Sequence, residues 1–294
     1  MKLFLASADD HGHIRLIKSA KHPYYLTSYY IHRKSFSESW LKWYNETKHG
    51  DWIMDSGLFT MMFGAGKDQT YTEDDLLNYT YKYLKDLKSI NYNNYIVEMD
   101  VHKVLGLDSL KRFRKIFKDN YDIDKTIYVW HIEEGEKGFI ELCKTYPYIA
   151  LSIPEFRIVL KGKNTIERKV KQLIRLANKI NPNIKIHLLG CTQQNLMEQK
   201  GYYSCDSTSW ISGGRYGQGT IFNGNNIQSQ SIYCKPWVDY LNKNREKLKK
   251  EMVCVEDPKK DYTINCYLGA KAYTTLNKYI NNRYYNYEPL KNIL

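Results

Sequence analysis

The 294-residue sequence has no long hydrophobic run. No stretch reaches the ~18 apolar residues that a membrane-spanning helix needs, so we expect no membrane partner. The first residues, MKLFLASADDHGH, contain one lysine and a short apolar patch, which predicts a first β-strand rather than a signal peptide. The P-loop pattern GxxxxGK[ST] is also missing, which argues against a nucleotide-binding P-loop.

Closely spaced cysteines are absent as well. The six cysteines stand at positions 143, 191, 205, 234, 254 and 266, with no CxxC or CxC pair. This spacing predicts neither a tetrahedral zinc site nor a compact disulfide framework, so we expect no bound metal. Scattered free thiols are typical of a reducing compartment, and the sequence therefore predicts a cytoplasmic protein, in the host cytoplasm if a phage encodes it.

Acidic residues are too few to balance the basic ones. Lys and Arg number 44 against 32 Asp and Glu, a net charge of +12. Such an excess attracts polyanions, nucleic acid first. It also fits an AT-rich genome, which favours Lys, Asn, Ile and Tyr, and charge alone does not separate the two interpretations.

Eight short apolar, β-branched or aromatic runs predict strands. They are KLFLASA (2–8), YYLTSYY (24–30), DWIMDSG (51–57), YIVEMD (95–100), TIYVWHI (126–132), YIALSI (148–153), IKIHLLG (184–190) and YYSCDST (202–208).

Helical patterns separate several of these runs, at 72–90, 109–120 and 165–180. Strands that alternate with helices indicate a parallel sheet, and eight of them indicate a closed (β/α)8 TIM barrel. The first two runs show no convincing helix between them, which leaves an open doubly wound sheet as the alternative. Helical patterns at 235–252 and 267–290 predict that residues 225–294 are mostly helical and pack on the barrel, within one domain spanning 1–294.

Three aspartates stand at ends of predicted strands: Asp55, Asp100 and Asp206. Catalytic groups of a (β/α)8 barrel lie at that end of the strands. Each aspartate also has a plain structural interpretation, because Asp is a common helix N-cap, and Asp206 before Ser207 fits one. Two carboxylates in one pocket suit chemistry at a glycosidic carbon, and a third, which only accepts hydrogen bonds when ionised, suits the donor edge of a purine.

Four segments in this order carry a resemblance: DSGLFT (55–60), VEMD (97–100), HLLGCT (187–192) and CDSTSW (205–210). They resemble the tRNA-guanine transglycosylase superfamily, and most of all its bacteriophage DpdA-like DNA-guanine transglycosylases, over residues 51–217. DSG and DSTSW carry most of the likeness.

The resemblance implies a (β/α)8 fold and exchange of a nucleoside base without a cofactor. It matches Asp206 to the nucleophile that attacks C1′ of the sugar, and Asp55 to the general acid/base that handles the purine proton. Asp100 matches a residue that reads the base. Three further positions line the same pocket by analogy: Ser56, Gly57 and the carbonyl of Gly190.

The chain departs from the family in two places. Members that act on tRNA carry a CxCxxC…His zinc subdomain, and Cys234, Cys254 and Cys266 lack that spacing. The pocket element of type GGLAVGE is replaced by ALSIPEF (150–156). Both departures bear on whether the substrate is DNA or tRNA.

Weaker signals surround these motifs. The tract SGGRYGQGTIFNGNN (212–226) predicts either an open loop that places Arg215 on a phosphate or a plain surface loop. Ser207, beside the matched nucleophile, is a further candidate for substrate contact. His11 and His13 lack a third ligand at a defined spacing. His131, followed by Glu133, lies within a predicted strand, at a place that could put it at the rim near the pocket.

The first hypothesis is therefore an enzyme that replaces guanine in DNA with a 7-deazaguanine base such as preQ0. The alternatives are a tRNA-guanine transglycosylase, a TIM-barrel hydrolase that releases a base or sugar from nucleic acid, and a barrel that binds nucleic acid without catalysis.

Overall fold

The chain forms a closed barrel of eight parallel strands, β1 to β8 in sequence order, surrounded by helices. The computed structural model describes residues 1–34, 40–47, 50–63, 70–191, 193–252 and 261–285. The predicted (β/α)8 fold with extra C-terminal helices is confirmed, and the open-sheet alternative is wrong. The strands are β1 (Lys2–Leu5), β2 (Tyr24–Ser28), β3 (Asp51–Asp55), β4 (Tyr95–Val97), β5 (Thr126–Trp130), β6 (Tyr148–Ser152), β7 (Lys185–Leu189) and β8 (Ser204–Ser207).

All eight predicted strands are present. They could be predicted because parallel strands that are covered on both faces form nearly continuous apolar runs in the sequence. Every residue of β5 is buried, for example.

The helices are α1 (His11–Ser19), α2 (Tyr29–His32), α3 (Leu41–Glu46), α4 (Leu58–Phe63), α5 (Glu73–Ser89), α6 (His102–Asn120), α7 (Gly135–Thr145), α8 (Ile153–Val159), α9 (Lys163–Ile180), α10 (Gln194–Met197), α11 (Ser212–Tyr216), α12 (Lys235–Glu251) and α13 (Asp261–Ile280).

The chain divides into two compact units. The first comprises Met1–Tyr25 and Gly190–Leu294, and the second comprises Leu26–Leu189. The second unit holds β3 to β7 and the helices between them. Its β6 and β7 pair in parallel from Tyr148↔Lys185 to Ser152↔Leu189.

Local signals set the helix starts of the second unit. Thr72 caps α5, and its side chain exchanges hydrogen bonds with Asp75 in a capping box. Ser152 caps α8, where its hydroxyl accepts from the Glu155 N–H at 3.3 Å and Pro154 stands in the first turn. The end of β6 therefore runs directly into a fixed first turn that carries Glu155.

The first unit is built on β1, which pairs with β8 from Lys2↔Ser204 to Leu5↔Ser207. Helix α13 packs on β1 and α1, and it contacts the short 3-10 helix Ser209–Ile211 that follows β8. Gly269 makes this approach possible, since a Cβ there would lie 1.9 Å from the backbone oxygen of Trp210. The C-terminal helix thus supports the turn that follows β8.

Two expectations about the first unit are wrong. A helix, α1, does separate β1 from β2; it is short and begins after Asp10, whose side chain accepts from the His13 N–H at 2.7 Å. The glycine tract is not an open loop, because it contains α11 and β9 (Gln218–Phe222), which forms an antiparallel hairpin with β10 (Ile227–Ser231) just after the tract. The hairpin also makes the region after residue 225 less purely helical than predicted.

Among the described residues, no helix is long and apolar enough to cross a bilayer.

Candidate active site

Asp206 lies in β8, opposite Phe4 of β1, and is 8% exposed. Its Oδ1 accepts a hydrogen bond from the Gly190 N–H at 2.8 Å. Gly190 has a φ of +59°, in the left-handed region that glycine adopts without strain. The structure thereby joins HLLGCT to CDSTSW, two of the four segments that carry the resemblance; Thr192 of the first lies outside the described residues.

The N-cap interpretation of Asp206 is wrong. The 3-10 helix after β8 starts at Ser209 and has Thr208 at its N-cap position. Ser207, rather than Asp206, stabilises the turn, because its hydroxyl accepts a hydrogen bond from the Ser209 N–H at 3.0 Å. The indole of Trp210 donates to the carbonyl of Ala6 at 2.6 Å and fixes the turn against β1.

Asp55 is the last residue of β3 and is half-buried. Its Oδ2 accepts from the Gly57 N–H at 3.1 Å. The Tyr79 hydroxyl donates to the carbonyl of Ser56 and the Tyr83 hydroxyl to that of Met54, both at 2.7 Å. Two tyrosines of α5 therefore hold the backbone on both sides of Asp55.

Burial raises the pKa of the Tyr79 hydroxyl, and the negative charge of Asp55 raises it further. The same two causes raise the pKa of Tyr83, with burial again the larger. Both phenols therefore stay protonated and keep donating to the backbone around Asp55 through the neutral pH range.

Asp100 lies beyond the end of β4, which stops at Val97. Its backbone carbonyl oxygen is 3.1 Å from Nδ1 of His102. Within the same VEMD segment, Glu98 is fully buried, and its Oε1 accepts from Nε of Arg114 at 3.1 Å and from the Val129 N–H at 2.8 Å. Burial raises the pKa of Glu98 to about 7, against the opposing charge of Arg114.

The predicted site residues fall into both units. Asp206 is bonded to Gly190, and Ser207 is buried beside it, all in the first unit. Arg215 is exposed on α11 in that unit. The second unit holds the remaining four: Asp55, Ser56, Gly57 and Asp100.

The sequence analysis missed one cluster in the second unit. His102, His131 and Glu155 each bring one possible ligand atom within 4.8 Å of the others, and among the described residues they form the group able to hold a metal ion. His131 lies near the end of a predicted strand, and His102 and Glu155 each follow one within a few positions, the same signal that selected the aspartates. His11 and His13 form no such group, since Nδ1 of His13 contacts the Ser7 carbonyl at 3.0 Å and Nε2 the Tyr262 hydroxyl at 3.1 Å.

The sequence matches no protein-family model and no curated protein.

Proposed function

We propose that the protein is a DNA-guanine transglycosylase, which replaces guanine in DNA with a 7-deazaguanine base such as preQ0. The observation that carries the proposal is the hydrogen bond from the Gly190 N–H to the buried carboxylate of Asp206. It unites two of the segments that resemble the transglycosylase superfamily and orients a carboxylate at the end of a barrel strand. Catalytic groups of (β/α)8 enzymes occupy that position.

In the proposed reaction, a carboxylate oxygen of Asp206 attacks C1′ of the target nucleotide. The C1′–N9 bond breaks, its electron pair passes to the guanine ring, and guanine takes a proton from the carboxylic acid of Asp55. The incoming base then attacks C1′ and expels the Asp206 carboxylate, while its ring N–H proton passes to Asp55. Each base leaves or enters with its proton, so the exchange is balanced without an oxidant or reductant.

The proposed role of Asp55, the second carboxylate, is supported by the hydrogen bonds that hold its segment. Asp55 accepts from Gly57, and tyrosines of α5 hold Met54 and Ser56, so the side chain is fixed before substrate binds. Fixed acid/base groups lose less entropy in the transition state than mobile ones. Asp100, Ser56, Gly57 and Ser207 are the proposed contacts to the base and sugar.

DNA is the proposed polymer because the zinc motif of the tRNA-acting members is missing. The net charge of +12 favours a polyanion of either kind. Guanine inside a duplex is out of reach, so the target nucleotide must leave the base stack or be single-stranded. Arg215, exposed on α11, is the proposed phosphate contact.

The test is incubation with guanine-containing DNA, or with tRNA, and a 7-deazaguanine base, followed by nucleoside mass spectrometry. We expect a modified deoxynucleoside with the wild type and a loss of at least about 1,000-fold in Asp206→Asn. The Asn amide oxygen still accepts from Gly190, so the fold is kept. Asp108→Asn, on the exposed face of α6, is the matched control and should retain activity.

Other outcomes would replace the proposal. Modification of tRNA alone would establish a tRNA-guanine transglycosylase. Release of guanine with no base incorporated would establish a hydrolase. Binding of DNA with neither product, and with no covalent adduct trapped on Asp206, would leave a nucleic-acid-binding barrel without catalysis.

A further inference from the structure

Three side chains meet at the ends of three adjacent strands in the second unit. His102 opens α6 after β4, His131 directly follows β5, and Glu155 lies in the first turn of α8 after β6. The two imidazole rings stack at a centroid distance of 3.4 Å with 21° between their planes. Glu155 lies beside both: Oε1 is 3.7 Å from Nε2 of His102, and Oε2 is 3.7 Å from Nδ1 of His131.

The polar atoms of this cluster are buried without hydrogen-bond partners. They are Nε2 of His102, both ring nitrogens of His131 and both carboxylate oxygens of Glu155. His131 is 2% exposed, and the side chains of His102 and Glu155 are 7% and 11% exposed. Buried polar atoms are almost always paired, and the 3.7 Å separations between Glu155 and the two rings are too long for hydrogen bonds. A ligand bonded to one atom of each residue would satisfy them.

The tautomer of His102 indicates which partner fits. A backbone carbonyl oxygen only accepts, so the Nδ1 that contacts the Asp100 carbonyl carries the ring proton. In the neutral ring, Nε2 then presents a lone pair toward Glu155. A histidine whose second nitrogen donates to a backbone carbonyl is the usual arrangement of a metal ligand.

The surrounding residues hold the cluster in place. Buried Arg114 donates from Nε to Glu98 and from Nη1 and Nη2 to Glu134, at 3.1, 2.6 and 3.0 Å. Oε2 of Glu134 in turn accepts from the backbone N–H of His131 at 3.0 Å. The positions of α6 and of the segment after β5 are thereby fixed relative to each other.

Charge and spacing suit a divalent cation. Glu133 brings a second carboxylate, with Oε2 3.9 Å from Nε2 of His102, and Lys103 pairs with Glu133 and also lies 3.7 Å from Oε1 of Glu155. Two carboxylates lie against one lysine beside the two imidazole rings. The donor separations of 3.7 Å are close to the roughly 3.4 Å between ligands that lie about 2.1 Å from a tetrahedral zinc ion.

We infer that His102, His131 and Glu155 form a binding site for a divalent transition-metal ion, with zinc the best match to two imidazoles and a carboxylate. Two His and one Glu are a set of three protein ligands that leaves a fourth position open. The ion would link the ends of β4, β5 and β6.

The test measures metal directly and needs no DNA. Full-length protein is stripped with EDTA, desalted and titrated with ZnCl₂, with MgCl₂ as the hard-cation comparison. We expect one zinc bound per chain, a higher Tm with zinc, and no response to magnesium. His131→Ala and Glu155→Gln should each weaken zinc binding at least about 100-fold, since even supporting residues contribute 10–100-fold. Glu136→Gln, exposed on α7, should bind as wild type.

Cobalt substitution distinguishes this site from cysteine ligation and does not depend on the variants folding. Co²⁺ in the wild type should give the visible absorption of a four-coordinate nitrogen and oxygen site. A thiolate charge-transfer band would assign the metal to cysteines and overturn the inference. So would zinc affinity unchanged in both variants, or no zinc bound and no change in Tm.

Discussion

Gly57 is a position where the backbone itself excludes a side chain. Its φ is +80°, and a Cβ would lie 2.5 Å from Oγ of Ser28 and 2.5 Å from Cβ of Tyr30. The left-handed conformation costs an alanine about 1–2 kcal/mol, and the overpacking adds a further penalty of about 1–3 kcal/mol. We therefore expect Gly57→Ala to lower the free energy of unfolding by about 2–5 kcal/mol, measured by urea denaturation.

Gly106 has a strained backbone without the crowding. Its φ is +82°, and no atom lies within 4 Å of the position that a Cβ would take. Its ψ of 177° places Gly106 in a backbone region that is essentially confined to glycine, so Gly106→Ala should lower the free energy of unfolding by about 1–3 kcal/mol through backbone strain without a steric clash. Unchanged stability in Gly106→Ala would mean that the backbone at this position relaxes to accept a side chain.

His22 links β1 to α13 in the first unit. Its Nε2 contacts the Leu3 carbonyl at 2.6 Å and its Nδ1 the Thr274 hydroxyl at 3.1 Å. Burial lowers the pKa of His22 to about 4 from the ordinary 6.5. The unfolded chain therefore binds the proton more tightly, and the stability contributed by the neutral ring is present above pH 6.5 and lost as the pH falls toward 4.

The expected loss across that range is about 3 kcal/mol, at about 1.36 kcal/mol for each pKa unit. Urea denaturation at pH 7, 6 and 5 should show stability falling with pH in the wild type. His22→Gln should be less stable at pH 7 and should lack this part of the pH dependence. An unchanged slope in His22→Gln would show that other groups cause it.

At the scale of single elements, the barrel strands can be predicted directly from the sequence, and the structure of the loops cannot. A run such as YIALSI is apolar throughout because β6 is buried, so its pattern identifies it without further information. The hairpin β9–β10 has the burial pattern of a surface element, and its polar residues carry no comparable periodicity. Tertiary contacts decide its structure: Gly219 has no side chain because Trp237 of α12 fills that space.

The same limit applies to the candidate sites. Asp55 and Asp206 are detectable because each ends or nearly ends an apolar run. His102 and Glu155 lie in the first turns of helices, where sequence spacing does not show that their side chains converge on His131. Their convergence depends on the neighbouring positions of β4, β5 and β6 in the sheet. The roles that the resemblance implies for the aspartates stay predictions.

Helix α11 and the segment after β10 present exposed aromatic and basic side chains, which the proposed function would place against DNA. Tyr216 and Tyr233 are 75% and 83% exposed, and Arg215 is exposed beside the first. Exposed tyrosines stack on bases, with about 1–3 kcal/mol lost per base on substitution by alanine. We expect Tyr216→Ala and Tyr233→Ala each to weaken binding of single-stranded DNA at least roughly 5-fold in fluorescence anisotropy.

Two further variants complete that experiment. Tyr81 is 53% exposed on α5, and Tyr81→Ala should bind DNA as the wild type does. Arg215→Ala should weaken binding and reduce the dependence of log K on log salt by about one. If Tyr81→Ala loses as much affinity as Tyr216→Ala, the effect belongs to tyrosine loss in general and not to this surface.

At the scale of the whole molecule, if the protein is the proposed transglycosylase, the net charge of +12 should govern how it binds its polymer substrate. Each phosphate neutralised by a lysine or arginine releases counterions, so affinity falls steeply with salt. We expect kcat/KM for DNA to fall by roughly 10-fold or more between about 50 and 200 mM KCl, with kcat at saturating DNA nearly constant. The preQ0 base is uncharged, so its KM should change little over the same range. Parallel changes in both KM values would mean that salt alters the fold or the catalytic carboxylates, and circular dichroism at each salt concentration would separate those two causes.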